Sequence, residues 1–175
     1  MAINYLIRHA VTEDREQIVS IYNYYILNTV FNFEYDIYTL QTRLPWFEQF
    51  KDDQPYRLLV GVNENNHVMG YGATTPFSAI AGYQTSVNIS VYCHSQYTGI
   101  GLGSALVKAL IEECKLLKLH KIYAGITIPN NPSMKLFKKF NFMQVAHFKE
   151  VGHKFKQYWD VAWFETNTLD EHKYV

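Results

Sequence analysis

Cysteine is scarce in this chain, net charge is missing, and no apolar run is long enough to cross a bilayer. Each absence removes a class of protein. Cys93 and Cys114 are the two cysteines, and both fall at apolar positions of a predicted strand and helix. They read as small buried hydrophobes, not as a disulfide framework, which fits a reducing cytoplasm. Sixteen basic and sixteen acidic residues cancel, so net charge gives no reason to expect nucleic acid or an anionic membrane as partner. The opening MAINYLIRHA lacks the apolar segment of a signal peptide, and nothing approaches the roughly 20 apolar residues of a membrane span. His67, His94, His147 and His153 are scattered, with no pair at ligand spacing on one element, so no metal site is expected. Repeats, linkers and low-complexity segments are missing too. One domain over residues 1–175 is expected.

What is present is a core and many rings. Apolar residues make up 48% of the chain and aromatics 16%, with fourteen tyrosines, so the chain has enough apolar surface to fold. The surplus of rings fits a packed core, an aromatic-lined cleft or an oligomer interface alike.

In chain order, residues 4–9 predict a strand. Thr12 is placed to cap a helix from Glu13, with Ile18, Ile21, Tyr22, Tyr25 and Ile26 on one stripe. The segment NTVFNFEYD predicts a turn, and Thr39 caps a second helix. Tyr56–Val62 and Val68–Thr74 predict a hairpin, and residues 75–84 a loop. Lys121–Ile128 predicts a strand, and Asn131 with Pro132 the start of a short helix. Phe142–Phe148 and Phe155–Phe164 predict two closing strands. The order is β-α-α-β-β-β-α-β-α-β-β: an α/β (α+β) mixed sheet flanked by helices, with a parallel pair inside the β-α-β-α-β run of residues 83–148.

The most informative stretch is residues 87–117. Val87, Ile89, Val91 and Cys93 alternate with Asn88, Ser90 and Tyr92, as in a strand. Gly99, Gly101 and Gly103 follow, and then a helix with an apolar stripe from Leu102 to Leu110. Such a turn aims unpaired backbone N–H groups and a helix dipole at one point, which suits an anion, phosphate above all. The G-x-G-x-G spacing meets neither the dinucleotide fingerprint nor the P-loop, and no Lys-Ser or Lys-Thr pair follows. Tight helix packing is the bland alternative.

With IYNYYILNTVFNFE (21–34), GYGATTPF (70–77), SVYCHSQYTGIGLGSAL (90–106), PNNPSMKLFKKFNF (129–142) and VGHKFKQYWDV (151–161), the chain resembles the GNAT superfamily of acyl-CoA-dependent N-acetyltransferases. The closer resemblance is to its phosphinothricin/methionine sulfoximine branch. The resemblance implies acetyl-CoA as co-substrate, lying between splayed fourth and fifth strands. Val91, Tyr92 and Cys93 would border the pantetheine arm, with the main chain of Val91 and Cys93 pairing with its amides. The turn Thr98, Gly99, Ile100, Gly101, Leu102 and Gly103 would hold the pyrophosphate, and Asn130 and Ser133 would contact the arm near its thiol end. Phe33, Glu34, Phe77 and Asn88 would contact a small-molecule amine acceptor. Asn88 falls at the family's catalytic position; Tyr92, read from its place on the same strand face as Asn88, is the second catalytic candidate, as proton donor to the leaving thiolate or simply as a packed ring. Relatives in this branch are commonly dimers, so a homodimer is one outcome the resemblance allows.

The departures from that pattern bear on chemistry. Thr98 stands where the glycine motif opens with Arg or Gln. Asn88 replaces the glutamate taken as base and can orient a water but not keep a proton. Phe137 replaces the proton-donating Tyr or His of the fourth helix. Ser78 and Ile80 replace loop arginines that would grip an amino-acid carboxylate, so phosphinothricin is not carried over as substrate. Acetyl transfer to a small amine remains the leading reading, since proximity and an oxyanion donor matter more than a strong base. A non-catalytic acyl-CoA-binding module and a peptide or protein N-acetyltransferase are the alternatives. Glu34 fits a substrate-ammonium contact or an ordinary solvated turn. Lys135, Lys138 and Lys139 read most simply as a solvated helix face, a minor role near the cofactor phosphates being the alternative.

Overall fold

The structure, a computed structural model, describes residues 4–168. Its elements are β1 (Leu6–His9), α1 (Arg15–Asn28), α2 (Leu40–Phe47), β2 (Leu58–Val62), β3 (Val68–Pro76), β4 (Ser86–Cys93), α3 (Leu102–Leu116), β5 (Lys121–Ile128), α4 (Asn131–Lys139), β6 (Met143–Lys154) and β7 (Gln157–Asn167), the order that the periodicities predict. The strands form one seven-stranded mixed sheet, β1-β2-β3-β4-β5-β7-β6. Only β4 and β5 pair in parallel, because α3 carries the chain back across the sheet between them.

Strand alternation sends apolar residues to both faces, and each face takes helices. On one side Leu102, Leu106, Leu110 and Cys114 of α3 pack with Val87, Ile89, Ile122, Ala124, Ile126 and Phe164. On the other, Ile18, Ile21, Tyr22 and Ile26 of α1 and Phe47 of α2 cover Val60, Val62, Tyr71 and Ala73. Leu106 is fully buried, and its truncation to Ala would cost about 2–5 kcal/mol. No helix among the described residues is long and apolar enough to cross a membrane.

The helix starts show what local pattern captures and what it misses. Thr39 caps α2 as expected, its Oγ1 accepting from the Thr42 N–H at 3.1 Å. Thr12 does not cap α1. Residues Thr12–Asp14 form a single 3-10 turn ahead of it, and the Asp14 carboxylate accepts from the Val11 N–H at 2.8 Å. Arg8 draws that carboxylate inward with two hydrogen bonds of 2.6 and 2.9 Å, so a tertiary ion pair decides the cap. For α4 the cap is Asn130, not Asn131: its backbone is non-helical, with φ of −147° and ψ of 71°, and its Oδ1 accepts from the Ser133 N–H at 3.2 Å.

The last hairpin departs furthest from expectation. Its strands run unbroken from Met143 to Lys154 and from Gln157 to Asn167, where the sequence predicts strands at Phe142–Phe148 and Phe155–Phe164. Phe155 and Lys156 make the turn with φ of +51° and +62°, and register shifts lie between Gln144 and Ala146 and between Phe148 and Gly152. Bulges bend the hairpin and re-aim its side chains.

Candidate active site

The site begins where the sheet stops pairing. Between β4 and β5 only Ser86–Lys121, Val87–Ile122 and Asn88–Tyr123 form rungs, although the strands run on to Cys93 and Ile128. On its other edge β4 pairs with β3, with Phe77 N–H donating to Ser86 C=O at 3.3 Å and His94 N–H to Met69 C=O at 2.8 Å. Antiparallel partners exchange bonds at every second residue. The main-chain groups of even-numbered residues are therefore spent on β3, and those of Val91 and Cys93 turn toward the gap. Val91 supplies the first N–H past the last rung. The Cys93 carbonyl receives the Tyr25 hydroxyl at 2.7 Å.

The glycine turn closes one end of this gap. Gly99 and Gly101 have φ of +77° and +87°, conformations that side chains other than glycine's adopt only under strain. The space around them is open: a Cβ on Gly101 would come no nearer than 3.6 Å, to the Tyr5 hydroxyl, and one on Gly99 would meet nothing within 4 Å. Glycine is needed here for backbone shape. Gly101 precedes α3 and no side chain caps that helix, so the N–H groups of its first turn, Leu102 to Ser104, stay available.

A cleft of about 740 Å³ runs from this turn along the gap. Of the residues expected at a cofactor, Val91, Tyr92, Cys93, Thr98, Gly99, Gly101, Gly103, Asn130 and Ser133 line it; Ile100 and Leu102 do not. Leu102 is buried beneath the sheet, so its contribution is its backbone. Lys135 and Lys139 line the cleft and Lys138 does not. Phe137 forms its floor against Phe142, ring centres 5.0 Å apart. Burial pushes the Cys93 thiol up to about 11, leaving it a neutral wall and not a nucleophile.

Across the fork lies a second cavity of about 530 Å³. Phe31, Ile89, Gly125 and Thr127 line both spaces, which therefore meet at the fork. Asn88 borders the second cavity, its Nδ2 donating to the Pro76 carbonyl at 2.9 Å. Its Oδ1 is buried without a hydrogen-bond partner among the described residues. Phe33 lines the cavity as expected. Phe77 stands beside it, 4.5 Å from Tyr123 and 6.3 Å from Trp163 by ring centres, without lining it. Glu34 lies next to the Tyr38 hydroxyl and helps burial raise that phenol.

The outer wall is the 29–38 loop fastened to the β6–β7 hairpin. Lys154, buried, donates to the Asn32 carbonyl at 2.9 Å and to its Oδ1 at 3.0 Å. The Phe33 ring lies so close over Gly152 that a Cβ there would overlap it. The Tyr35 hydroxyl donates to the His153 carbonyl at 2.8 Å. Tyr92 shares the strand face of Asn88 but packs among Tyr22, Tyr25 and Tyr71, with ring centres 5.2, 5.0 and 5.5 Å away. Burial holds its phenol far above the usual range, so it stays protonated.

A parallel strand pair that parts after three rungs, with a glycine turn and a bare helix N-terminus at the head of the gap, agrees with the sequence: the chain belongs to the acetyltransferase (GNAT) family, which it matches over residues 18–142. It is 38% identical over 160 residues to a phosphinothricin N-acetyltransferase of Streptomyces coelicolor, covering 91% of this chain and 94% of that one. It is 32% identical over 166 residues to an L-methionine sulfoximine/L-methionine sulfone acetyltransferase of Salmonella typhimurium, covering 95% of each. A Salmonella typhimurium acetyltransferase solved with its cofactor acetyl-CoA has a TM-score of 0.90 and 31% identity, over 97% of this chain and 96% of that one.

Sequence reasoning missed several contributors. Tyr25 sits on the apolar stripe of α1, and nothing local marks its hydroxyl as reaching β4. Trp163, Phe148, Val151 and Gly152 reach the second cavity through the order β5-β7-β6, which no periodicity reveals. Lys154 reads as a turn lysine until its strand is seen to continue.

Proposed function

We propose that this protein transfers the acetyl group of acetyl-CoA to the primary amine of a small molecule. The observation that carries this reading is the meeting of the two cavities at the β4–β5 fork: one space suits a long phosphate-bearing thioester, the other a compact acceptor. The residues present fit acetyl-CoA. The open main-chain groups of Val91 and Cys93 match the amides of an extended arm, and the amides from Thr98 to Gly103, with Lys135 and Lys139 nearby, match a pyrophosphate. The solved relative holding acetyl-CoA supports the same choice.

Acetyl-CoA supplies an acetyl group activated as a thioester; the protein positions it and stabilises developing charge. The Val91 N–H polarises the thioester carbonyl oxygen. Asn88 Oδ1 accepts an N–H of the acceptor, directly or through water, and orients its lone pair. No carboxylate lines either cavity among the described residues, so the acceptor enters already neutral. Tyr92, held protonated by burial, offers its O–H as a hydrogen bond to the departing thiolate, and the proton released by the acylated nitrogen passes through water to that thiolate, which leaves as the coenzyme A thiol. Asn130 keeps its Nδ2 for the arm while its Oδ1 caps α4. The relatives' names support an acceptor related to amino acids.

Calorimetry with acetyl-CoA and a thiol-release assay over a panel of amines test the reading. Binding heat and turnover of at least one amine are expected. Binding with no turnover would favour a non-catalytic acyl-CoA module, the reading that Asn88 and Phe137 support; no binding at all would end both.

A further inference from the structure

We infer that the acceptor is an apolar primary amine whose carboxylate is absent or masked, an arylalkylamine or an amino-acid amide and not a free amino acid. This rests on the acetyl-transfer reading and narrows it.

The second cavity has one polar end and an apolar body. Four rings, Phe31, Phe33, Phe148 and Trp163, surround it; among the described residues its polar side-chain groups are the Asn88 amide, the Thr127 hydroxyl and the Trp163 indole N–H, none of them charged. Asn88 Oδ1 is buried without a partner among the described residues, an acceptor suited to an amine N–H. A volume of about 530 Å³ admits a ring or a branched chain beyond that nitrogen.

No lysine or arginine among the described residues lines this space. Lys154, in the hairpin that forms the outer wall, is spent on Asn32 through two hydrogen bonds. Desolvation also lowers the Lys154 pKa, so the buried site already disfavours its charge. The histidines of the hairpin are engaged elsewhere, His147 with Asp160 at 2.7 Å and His153 with Tyr35 at 3.0 Å. A carboxylate brought between the rings would lose its hydration and gain no ionic partner, a loss that a hydroxyl and an amide do not offset. An amine that enters neutral loses little, and its apolar body gains contact with the rings.

The test uses matched pairs at saturating acetyl-CoA: phenethylamine and phenylalaninamide against phenylalanine, and 3-(methylthio)propylamine against methionine, with kcat/KM read by thiol release. The amine and the amide are expected to exceed the free amino acid by at least about tenfold, as when a site leaves a charged group unpaired. Val151 lies on the cavity rim and is 60% exposed. Val151→Arg supplies the missing guanidinium and is expected to shift the ratio toward the amino acids. Free amino acids matching or beating their amines in the unsubstituted protein would overturn the inference and leave acetyl transfer standing. Silence with every compound, despite bound acetyl-CoA, would overturn acetyl transfer as well.

Discussion

The Tyr25 hydroxyl donates a 2.7 Å hydrogen bond to the Cys93 carbonyl, joining α1 to the open edge of β4. Both partners are half-buried, and burial pushes the Tyr25 phenol up to about 12. The bond holds one cleft-facing carbonyl in direction while leaving it a second lone pair.

Tyr25→Phe keeps the ring contacts and deletes this bond. A loss of about 1 kcal/mol is expected, read as a melting temperature lower by about 2–4 °C for a chain of this size. KM for acetyl-CoA should rise several-fold while KM for the amine stays nearly constant. An unchanged acetyl-CoA KM would show that the Cys93 carbonyl does not serve the arm.

Gly101→Ala tests backbone shape at the head of the cleft. With φ at +87° and open space around the new Cβ, the expected stability loss is about 1–2 kcal/mol from left-handed strain. Calorimetry should show acetyl-CoA affinity reduced about tenfold or more, because the anion-facing amides move, a shift worth about 1.4 kcal/mol. Unaltered affinity would move the pyrophosphate site elsewhere.

Much of this fold is written in local sequence pattern. Elements announced by periodicity were legible: Lys121–Ile128 is a strand with the predicted ends, and Thr39 caps as its neighbours suggest. Asp14 was not legible as a cap because Arg8, six residues away, decides it. The two-residue turn Phe155–Lys156 was hidden because left-handed hairpin turns advertise themselves through Asn and Gly, and neither is present here. Apart from Tyr25 and Phe31, the lining of the larger cleft lies within residues 89–139, where sequence neighbours are also neighbours in space. The acceptor side is assembled from the 29–38 loop, β4 and the last hairpin, so its composition appeared only with the strand order.

With no carboxylate base among the described residues lining either cavity, log kcat/KM should climb with unit slope until pH reaches the acceptor's own pKa. Asn88→Glu should raise activity near neutral pH and add an acidic limb. The same exchange replaces the N–H donor to Pro76 with a carboxyl facing that carbonyl, which holds the new group above its ordinary pKa. A carboxyl so raised costs more as pH climbs through its folded value, so the variant should lose more stability at pH 8 than at pH 5. A wild-type profile with an extra ionisation near pH 6–7 would reveal a base outside these cavities.

Tyr22, Tyr25, Tyr71 and Tyr92 all have phenols raised by burial. In the unfolded chain they ionise near the ordinary value of about 10. Their contribution is therefore fully present below about pH 10 and is lost as pH rises beyond it, when the unfolded chain sheds protons that the folded chain keeps. Alkaline titration followed by phenolate absorbance should show these phenols ionising together with unfolding. Smooth, independent titration at pH 10 in the folded protein would contradict their burial.

Because β4 and β5 separate after three rungs, the notch between them opens toward both flat sides of the sheet. Two reactants can then occupy the molecule together, each reaching the junction at Ile89 by its own route. Such a layout has no use for an acetylated protein as a way station. Initial-rate plots against either reactant should intersect, the signature of a ternary complex, and parallel lines should not be seen.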